Sequence, residues 1–320
     1  MQQATQSQKV MMDKIALLMS ENLLPDKDGR RGDAFEFDEQ IGKLIPAFAD
    51  QGLQLETVLW QEAPEKAADY ALMMPLMVWD YAQGKRREFL TAMAKIASKT
   101  QLLNGYDVLE WNTDKHYLEV LAKKGAPVIS TLSVDGITKA GIARAFETLK
   151  TDHIVIKPRI GAGAWRQVSL KLGDPLPSAS ELPPGSALIQ PFQKAVQDEG
   201  EYSFLFFGGK FCHAVLKHPR SGDYRIQSLY GGTEETFQPN PAQLSVANRI
   251  LDVLDFTPLY ARVDLLRGRD GKLKLIELEL VEPYLYLPHA KGEGAENSGA
   301  KMLAKAVRRK VGTVQQRKRA

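Results

Sequence analysis

A single cysteine, Cys212, in 320 residues excludes any intrachain disulfide, and with it the disulfide-stapled architectures of oxidising compartments. The cytoplasm is the expected location. No apolar run approaches the roughly 20 residues that a membrane-spanning helix needs, so no membrane partner is expected. The five histidines, His116, His153, His213, His218 and His289, have neither zinc-site spacing nor a cysteine partner. Any metal is therefore expected to be a hard cation on oxygen ligands. A Walker A motif is also missing: residues 294–301, GAENSGAK, lack the Gly-Lys-Ser/Thr ending. A dinucleotide fingerprint starting at Gly161 and Gly163 fails because Arg166 stands where its third glycine belongs.

What is present is an ordinary globular composition, 44% hydrophobic and 25% charged. The length suits two or three subdomains with a cleft between them. The formal charge of +3 is concentrated at one end, where Arg308, Arg309, Lys310, Arg317, Lys318 and Arg319 occur with no acid among them. Without these six the body is acidic. No aromatic-interleaved basic patch accompanies the run, which argues against a nucleic-acid partner. Residues 1–13, rich in Gln and without a secretory signal, are expected to be a disordered tail, and 311–320 a basic tail.

Between the tails, strand and helix signals alternate. Strands are expected at 14–19, 53–60 and within 70–81, with helices over 37–52 and within 84–102, as in a parallel α/β unit. A short strand at 107–111 (DVLEW) would complete a first domain, 14–111. A helix is expected over 114–125, with Asn112 or Thr113 as its cap, and another over 141–149. The remainder is β-rich, with strands at 153–157, 167–172, 187–190, 202–207, 210–217, 259–266 and 272–281. The Pro- and Ser-rich stretch 173–185 is expected to link subdomains. We divide this part into a central subdomain, 112–190, and a C-terminal one, 191–310.

The most informative segment is 259–283, LYARVDLLRGRDGKLKLIELELVEP. Asp270-Gly271 between two alternating runs signals a two-residue hairpin, and counting outward sets Asp264 opposite Glu277 and Arg262 opposite Glu279. Val263 would face Leu278, and Leu265 would face Ile276. Period-two alternation then puts Asp264, Glu277 and Glu279 on one face and apolar residues on the other. Like charges facing each other across strands are destabilising. A magnesium ion among them would resolve the conflict, and so would a solvated face with Arg262 paired to Glu279.

This segment resembles the ATP-grasp ligases. In glutathione synthetase-like members an Asp precedes a strand reading Glu-Ile-Asn, with a proline four residues after the Asn. Asp264, Glu277, Glu279 and Pro283 match, with Glu279 in place of the Asn. The resemblance implies an α/β fold, α+β in its C-terminal part, with two β-rich subdomains that clasp ATP behind a parallel N-terminal domain. It implies magnesium, or manganese in its place, on Asp264, Glu277 and Glu279. Lys157, ending the strand 154–158 (IVIKP), is similar to the family's phosphate-binding lysine, and Gly161 and Gly163 to its phosphate-covering loop. Lys115 in Asn112-Thr113-Asp114-Lys115 matches a second phosphate contact. Residues 188–192, LIQPF, resemble the hinge where backbone groups of Gln190 and Phe192 would read adenine, with Glu199 or Glu201 holding the ribose. The run 201–227 is most similar to the O-ureidoserine cyclo-ligase branch, which would set Lys217, Arg225 and Arg262 at the transferred phosphoryl group. His213 is expected to be structural.

The implied reaction is activation of a carboxylate as an acyl phosphate, with release of ADP, followed by attack of an amine. Small-molecule carboxylate and amine substrates, amino-acid-like or peptide-like, are the expected partners, and ring closure within one molecule fits as well as ligation between two. Trp79, Asp80, Tyr81, Glu282 and Tyr284 are the candidates for contact with substrate. A homodimer is compatible with the sequence. Two other readings stay open: a regulatory or interaction module that holds ATP without turnover, and a basic RNA-associated protein.

Overall fold

The computed structural model describes residues 12–25, 27–82, 84–290 and 297–319, with side chains described up to 313. Most of the tail expected over 1–13 lies outside them. Asp13 already opens the first strand.

Strand β1 (Asp13–Met19) is a nearly unbroken apolar run, buried on both faces as the inner strand of a parallel sheet must be. It pairs in parallel with β2 (Leu53–Leu59) and β3 (Leu72–Met77), and β3 with the short β4 (Gln101–Leu102), giving the order β2-β1-β3-β4. The helix Phe35–Ala49 covers one side and the helix Arg86–Ala97 the other. Residues 107–111 are not a strand but part of the helix Tyr106–Asn112. Leu109 is fully buried there, and the helix's hydrogen bonds run along the chain, so the short apolar pattern answers to a helical period rather than to alternation.

The central unit is a four-stranded sheet of order β5-β8-β6-β7, built from β5 (Leu132–Val134), β6 (His153–Pro158), β7 (Val168–Lys171) and β8 (Ala187–Pro191), all neighbours antiparallel. The helix Lys139–Leu149 packs Ile142, Ala145 and Phe146 onto it. Residues 173–185 do not link subdomains. They join β7 to β8, which both pair with β6, so this Pro-rich stretch is a loop inside one unit.

The third sheet is antiparallel, order β11-β10-β9-β12-β13, from β9 (Glu201–Phe207), β10 (Lys210–His218), β11 (Thr233–Phe237), β12 (Tyr260–Arg267) and β13 (Leu273–Glu279). Strand β11 and the helix Pro241–Asp252 lack a counterpart in the sequence reading. The helix carried a signal: Asn240 and Gln243 form a capping box with Pro241 in the first turn. The stretch 311–320, expected to be a tail, continues the helix Ser298–Arg319 up to Arg319. Leu303, Val307 and Val311 of this helix are buried in the core of the N-terminal unit with Leu44 and Phe48. Arg308, Arg309 and Lys310 thus lie on the outer side of a packed helix, and Arg308 pairs with Asp13.

The outer edge of β13 has no full strand beside it: Leu275 N donates to Pro127 O at 2.7 Å, Ile129 N donates to Leu275 O at 3.0 Å, and side chains close the rest. Asn112 donates to Leu278 O at 2.9 Å and accepts from Leu280 N at 2.8 Å, while the Tyr117 hydroxyl accepts from Leu278 N at 2.9 Å. Asn112 therefore does not cap the following helix. It satisfies an edge strand that would otherwise leave buried groups unpaired, and it sets Lys115 beside Glu277. Asn112→Ala is expected to lower unfolding stability by about 3 kcal/mol, because two buried backbone groups lose their partners; urea denaturation measures it.

His213 is buried, and one ring nitrogen meets Leu285 O at 2.9 Å. Burial holds its pKa down at about 4, against 6.5 ordinarily. The neutral ring favours the folded state, so stability present above pH 6.5 is lost as pH falls from 6.5 toward 4. The loss amounts to about 3 kcal/mol for a shift of this size. His213→Gln should flatten that acid limb in melting curves taken across the same range.

Candidate functional site

A cavity of about 230 Å³ opens where the three sheets meet. Its walls take Lys115, Lys157, Gly161, Gly163, Gln190 and Phe192 from the central unit and the turn before it. From the third sheet and the loops beyond come Glu201, Lys217, Arg225, Arg262, Asp264, Glu277 and Glu279. All the expected site residues but one are thus gathered. Glu199 is the exception: it pairs with Arg267, at 2.7 Å from Nε, and does not line the cavity.

The hairpin supplies the charged floor. Asp264 lies opposite Glu277 and Arg262 opposite Glu279, as counted from the turn, but Leu265 faces Leu275 rather than Ile276. The turn takes one residue more than a two-residue loop, with Gly268 N donating to Lys272 O at 2.8 Å. A bulge between Asp264 and Leu265 restores the register just before the acids. Asp264, 2% exposed, accepts from Arg262 at 3.0 and 3.1 Å and from the Ser203 hydroxyl. Burial would raise its pKa, but Arg262 and Lys217 outweigh that and lower it. Arg262 also pairs with Glu279 and donates to Tyr284 O at 3.2 Å.

Beside it Lys217, also 2% exposed, sits 2.7 Å from Glu201 and 3.6 Å from Asp264. Burial disfavours its ammonium, yet Asp264 and Glu201 together raise its pKa. Lys115 lies 3.0 Å from Glu277 and donates to Gly161 O, which ties the glycine loop to the acidic strand. Burial pushes the Lys157 ammonium down to about 8; it lies 3.3 Å from Ile276 O. Glu277 is lowered, its burial outweighed by Lys115 and Lys157. Glu279 is raised to about 8 by burial and the neighbouring Asp264 and Glu277, despite Arg262.

The three acids share a face, but they do not converge on one point. Among the described residues no three His, Cys, Asp or Glu side chains stand together closely enough to hold a metal ion; each acid is held instead by a lysine or arginine. The donor chemistry nevertheless fits a hard cation. The raised Glu279 marks a surplus of negative charge that a divalent ion would relieve.

The other wall is less polar. Phe192 stacks on His153 at 4.0 Å between ring centroids, with Tyr224 edge-on at 5.8 Å. The Phe192 N–H is spent on His153 O at 2.9 Å. The Gln190 amide donates to the Thr131 hydroxyl at 2.8 Å. Gly161 is needed for space, since a Cβ there would come within 2.7 Å of Pro158, and Gly163 has φ +60°. Arg225 is gripped by Asp223 at 2.7 Å and lies 3.9 Å over the Tyr230 ring. Of the substrate candidates, Trp79, Tyr81, Glu282 and Tyr284 line the cavity, but Asp80 does not. It is a buried structural acid held by Ser20, Trp60 and Lys85. Arg31, Asp33 and Glu36 also line the cavity, and sequence reasoning missed them. The charge-dense run 30–39 before and into the first helix was their one visible signal.

Residues 15–104 match the family model of the N-terminal domain of D-cycloserine synthetase DcsG. The chain is 28% identical over 269 residues to the cycloserine biosynthesis protein DcsG of Streptomyces lavendulae, covering 78% of this chain and 88% of that one. The crystal structure of D-cycloserine synthetase DcsG superposes with a TM-score of 0.75 at 24% identity, over 93% of this chain and 99% of that one. D-alanine–D-alanine ligase from Bacillus anthracis, complexed with ATP, follows at 0.64 and 14% identity, over 96% and 99%. The chain has the ATP-grasp ligase fold. In this chain the cavity lies where β6, β8 and the glycine loop face β12 and β13, and no described helix is long and apolar enough to cross a membrane.

The buried Lys217–Glu201 pair gives a stability test. Lys217→Met should cost about 3 to 5 kcal/mol by leaving Glu201 and Asp264 short of a cation. Adding Glu201→Gln should recover part of the loss, as a double-mutant cycle in urea would show.

Proposed function

We propose that the protein is an ATP-dependent carboxylate–amine ligase that works through an acyl phosphate and releases ADP and phosphate. The observation that carries this reading is the meeting of Lys115, Lys157 and the glycine loop with the acidic strand Glu277–Glu279 across one cavity. Two buried ammonium groups beside backbone amides suit a polyphosphate. The flat face of Phe192 is suited to stacking against a base. Magnesium, if bound, would be held by Glu277 and Glu279 with Asp264 behind them, and would neutralise charge on the transferred phosphoryl group.

The protein's own groups orient and neutralise. Lys115 and Lys157 hold phosphate oxygens, Arg262 and Lys217 fix the positive end of the floor, and Arg225 stands over the cavity from its loop. Such fixed charge acts on a carboxylate attacking the terminal phosphorus without a protein nucleophile. Glu201, bound to Lys217, remains the candidate for the ribose, and Gln190 and Phe192 border the base.

The likeness to a cycloserine biosynthesis protein supports an amino-acid-like substrate that closes a ring on itself, in the cytoplasm. The ring-opened form of D-cycloserine, β-aminooxy-D-alanine, has the carboxylate and the nucleophilic nitrogen in one molecule. ADP release measured with O-ureido-D-serine, β-aminooxy-D-alanine, D-alanine, D-serine and their L-forms tests the reading. Release that depends on one of these and on magnesium is expected. Tight ATP binding with no release across the panel would favour a non-catalytic module. Glu277→Gln should lower turnover about 100-fold or more while leaving the melting transition intact; turnover at the parent rate would refute the acid strand's role.

A further inference from the structure

The acids around the cavity floor differ in how they are held. Glu201 is paired with Lys217, Asp264 and Glu279 with Arg262, and Glu277 with Lys115. Glu282 also lines the cavity, yet it makes no ion pair among the described residues. The Tyr81 hydroxyl beside it favours its charged form. That hydroxyl is itself fixed: Tyr81 is 5% exposed and its ring stacks on Phe89 at 4.7 Å. The backbone of Glu282 is pinned as well, because Trp79 Nε1 donates to its carbonyl at 3.0 Å and Pro283 follows it. A carboxyl so placed borders the cavity on an anchored backbone without a cation partner.

Formation of an amide from an acyl phosphate needs a group of this kind. As the nitrogen bonds to the acyl carbon, the carbon–oxygen bond to phosphate breaks and its electron pair leaves with the phosphate. The nitrogen then carries a proton in excess, and that proton must go to a base. Acids already committed to lysine or arginine are poor bases. We propose that Glu282, which borders the cavity beside Tyr81, is the base that takes the proton from the attacking nitrogen. This rests on the ligase reading given above.

The surroundings agree with that role. Burial raises the Glu282 carboxyl to about 7, a range in which it exchanges a proton at neutral pH. The groups that act on it are Tyr81, which donates to it, Lys115 from the turn before the helix Tyr117–Lys123, Glu277 and Glu279 from β13, and Arg262 from β12. Burial is the largest influence and disfavours the carboxylate, Glu277 adds to it, and Tyr81, Lys115 and Arg262 act against them.

Activation and amide formation can be measured separately. With β-aminooxy-D-alanine, positional isotope exchange in ATP labelled with heavy oxygen at the β,γ-bridge reports acyl-phosphate formation, and ring closure reports the second step. Glu282→Gln keeps a hydrogen-bonding partner for Tyr81 but cannot take a proton. It should leave the isotope exchange at the parent rate and lower ring closure about 100-fold or more. Tyr81→Phe should leave the base in place and move the acid limb of ring closure to higher pH, since the carboxylate loses its donor. Equal retention of both steps in Glu282→Gln overturns the assignment, as does equal loss of both at an unchanged melting temperature. If the parent protein gives neither exchange nor product, the ligase reading fails, and this assignment fails with it.

Discussion

The Arg262 guanidinium, wedged between Asp264 and Glu279 under 10% side-chain exposure, is the contact on which the rest of the site depends. Three acids on one face of a buried ribbon would repel one another and drive themselves neutral. Arg262 and Lys115 hold Asp264 and Glu277 in the charged form, while Glu279, paired with Arg262 as well, stays raised. The arrangement favours charge over stability, because a buried ion pair seldom outperforms an apolar core of the same volume. Such a floor is retained where charge must be presented to something, and the cavity lies directly above it.

The fold keeps that floor in place through contacts between units. Asn112 and Tyr117 close the open edge of β13, and Asn104 reaches from the N-terminal unit to Tyr260 O at 3.0 Å and Leu280 O at 2.7 Å. The helix Ser298–Arg319 returns from the third sheet to the first core, so the chain's last element binds its beginning. One wall of the cavity moves with another only if these contacts yield. The loop carrying Arg225 also touches both sides: Ser228 donates to Glu36 at 2.5 Å, and the Tyr230 hydroxyl donates to Gly163 O at 3.3 Å.

Much of this was legible wherever a short-range rule governs. The Asp270-Gly271 turn and strict alternation sufficed to oppose Asp264 to Glu277 and Arg262 to Glu279. They did so even though the turn is one residue longer than expected, because a bulge cancels the slip. The alternation of strand and helix signals over the first third of the chain announced a parallel sheet. Long-range facts stayed hidden. Nothing local shows that Glu199, which follows the short helix Ala195–Asp198, turns to Arg267 while Glu201, the first residue of β9, turns to Lys217. Residues 107–111 were misread because five residues are too few to separate a period of two from one of 3.6. The basic C-terminal run gave no sign that its apolar positions dock on the first core, since charge dominates its composition. Arg31, Asp33 and Glu36 reach the cavity only through tertiary packing.

The account stands on the claim that this cavity takes a nucleotide triphosphate together with a divalent cation, between Lys115, Lys157 and the acidic strand. The direct measurement is the melting temperature with a non-hydrolysable ATP analogue, with magnesium, with each alone, and with neither. A rise that needs both together, and that is lost in Lys157→Met, is the predicted result. An unchanged melting temperature with both present, or an equal rise without magnesium, would contradict it.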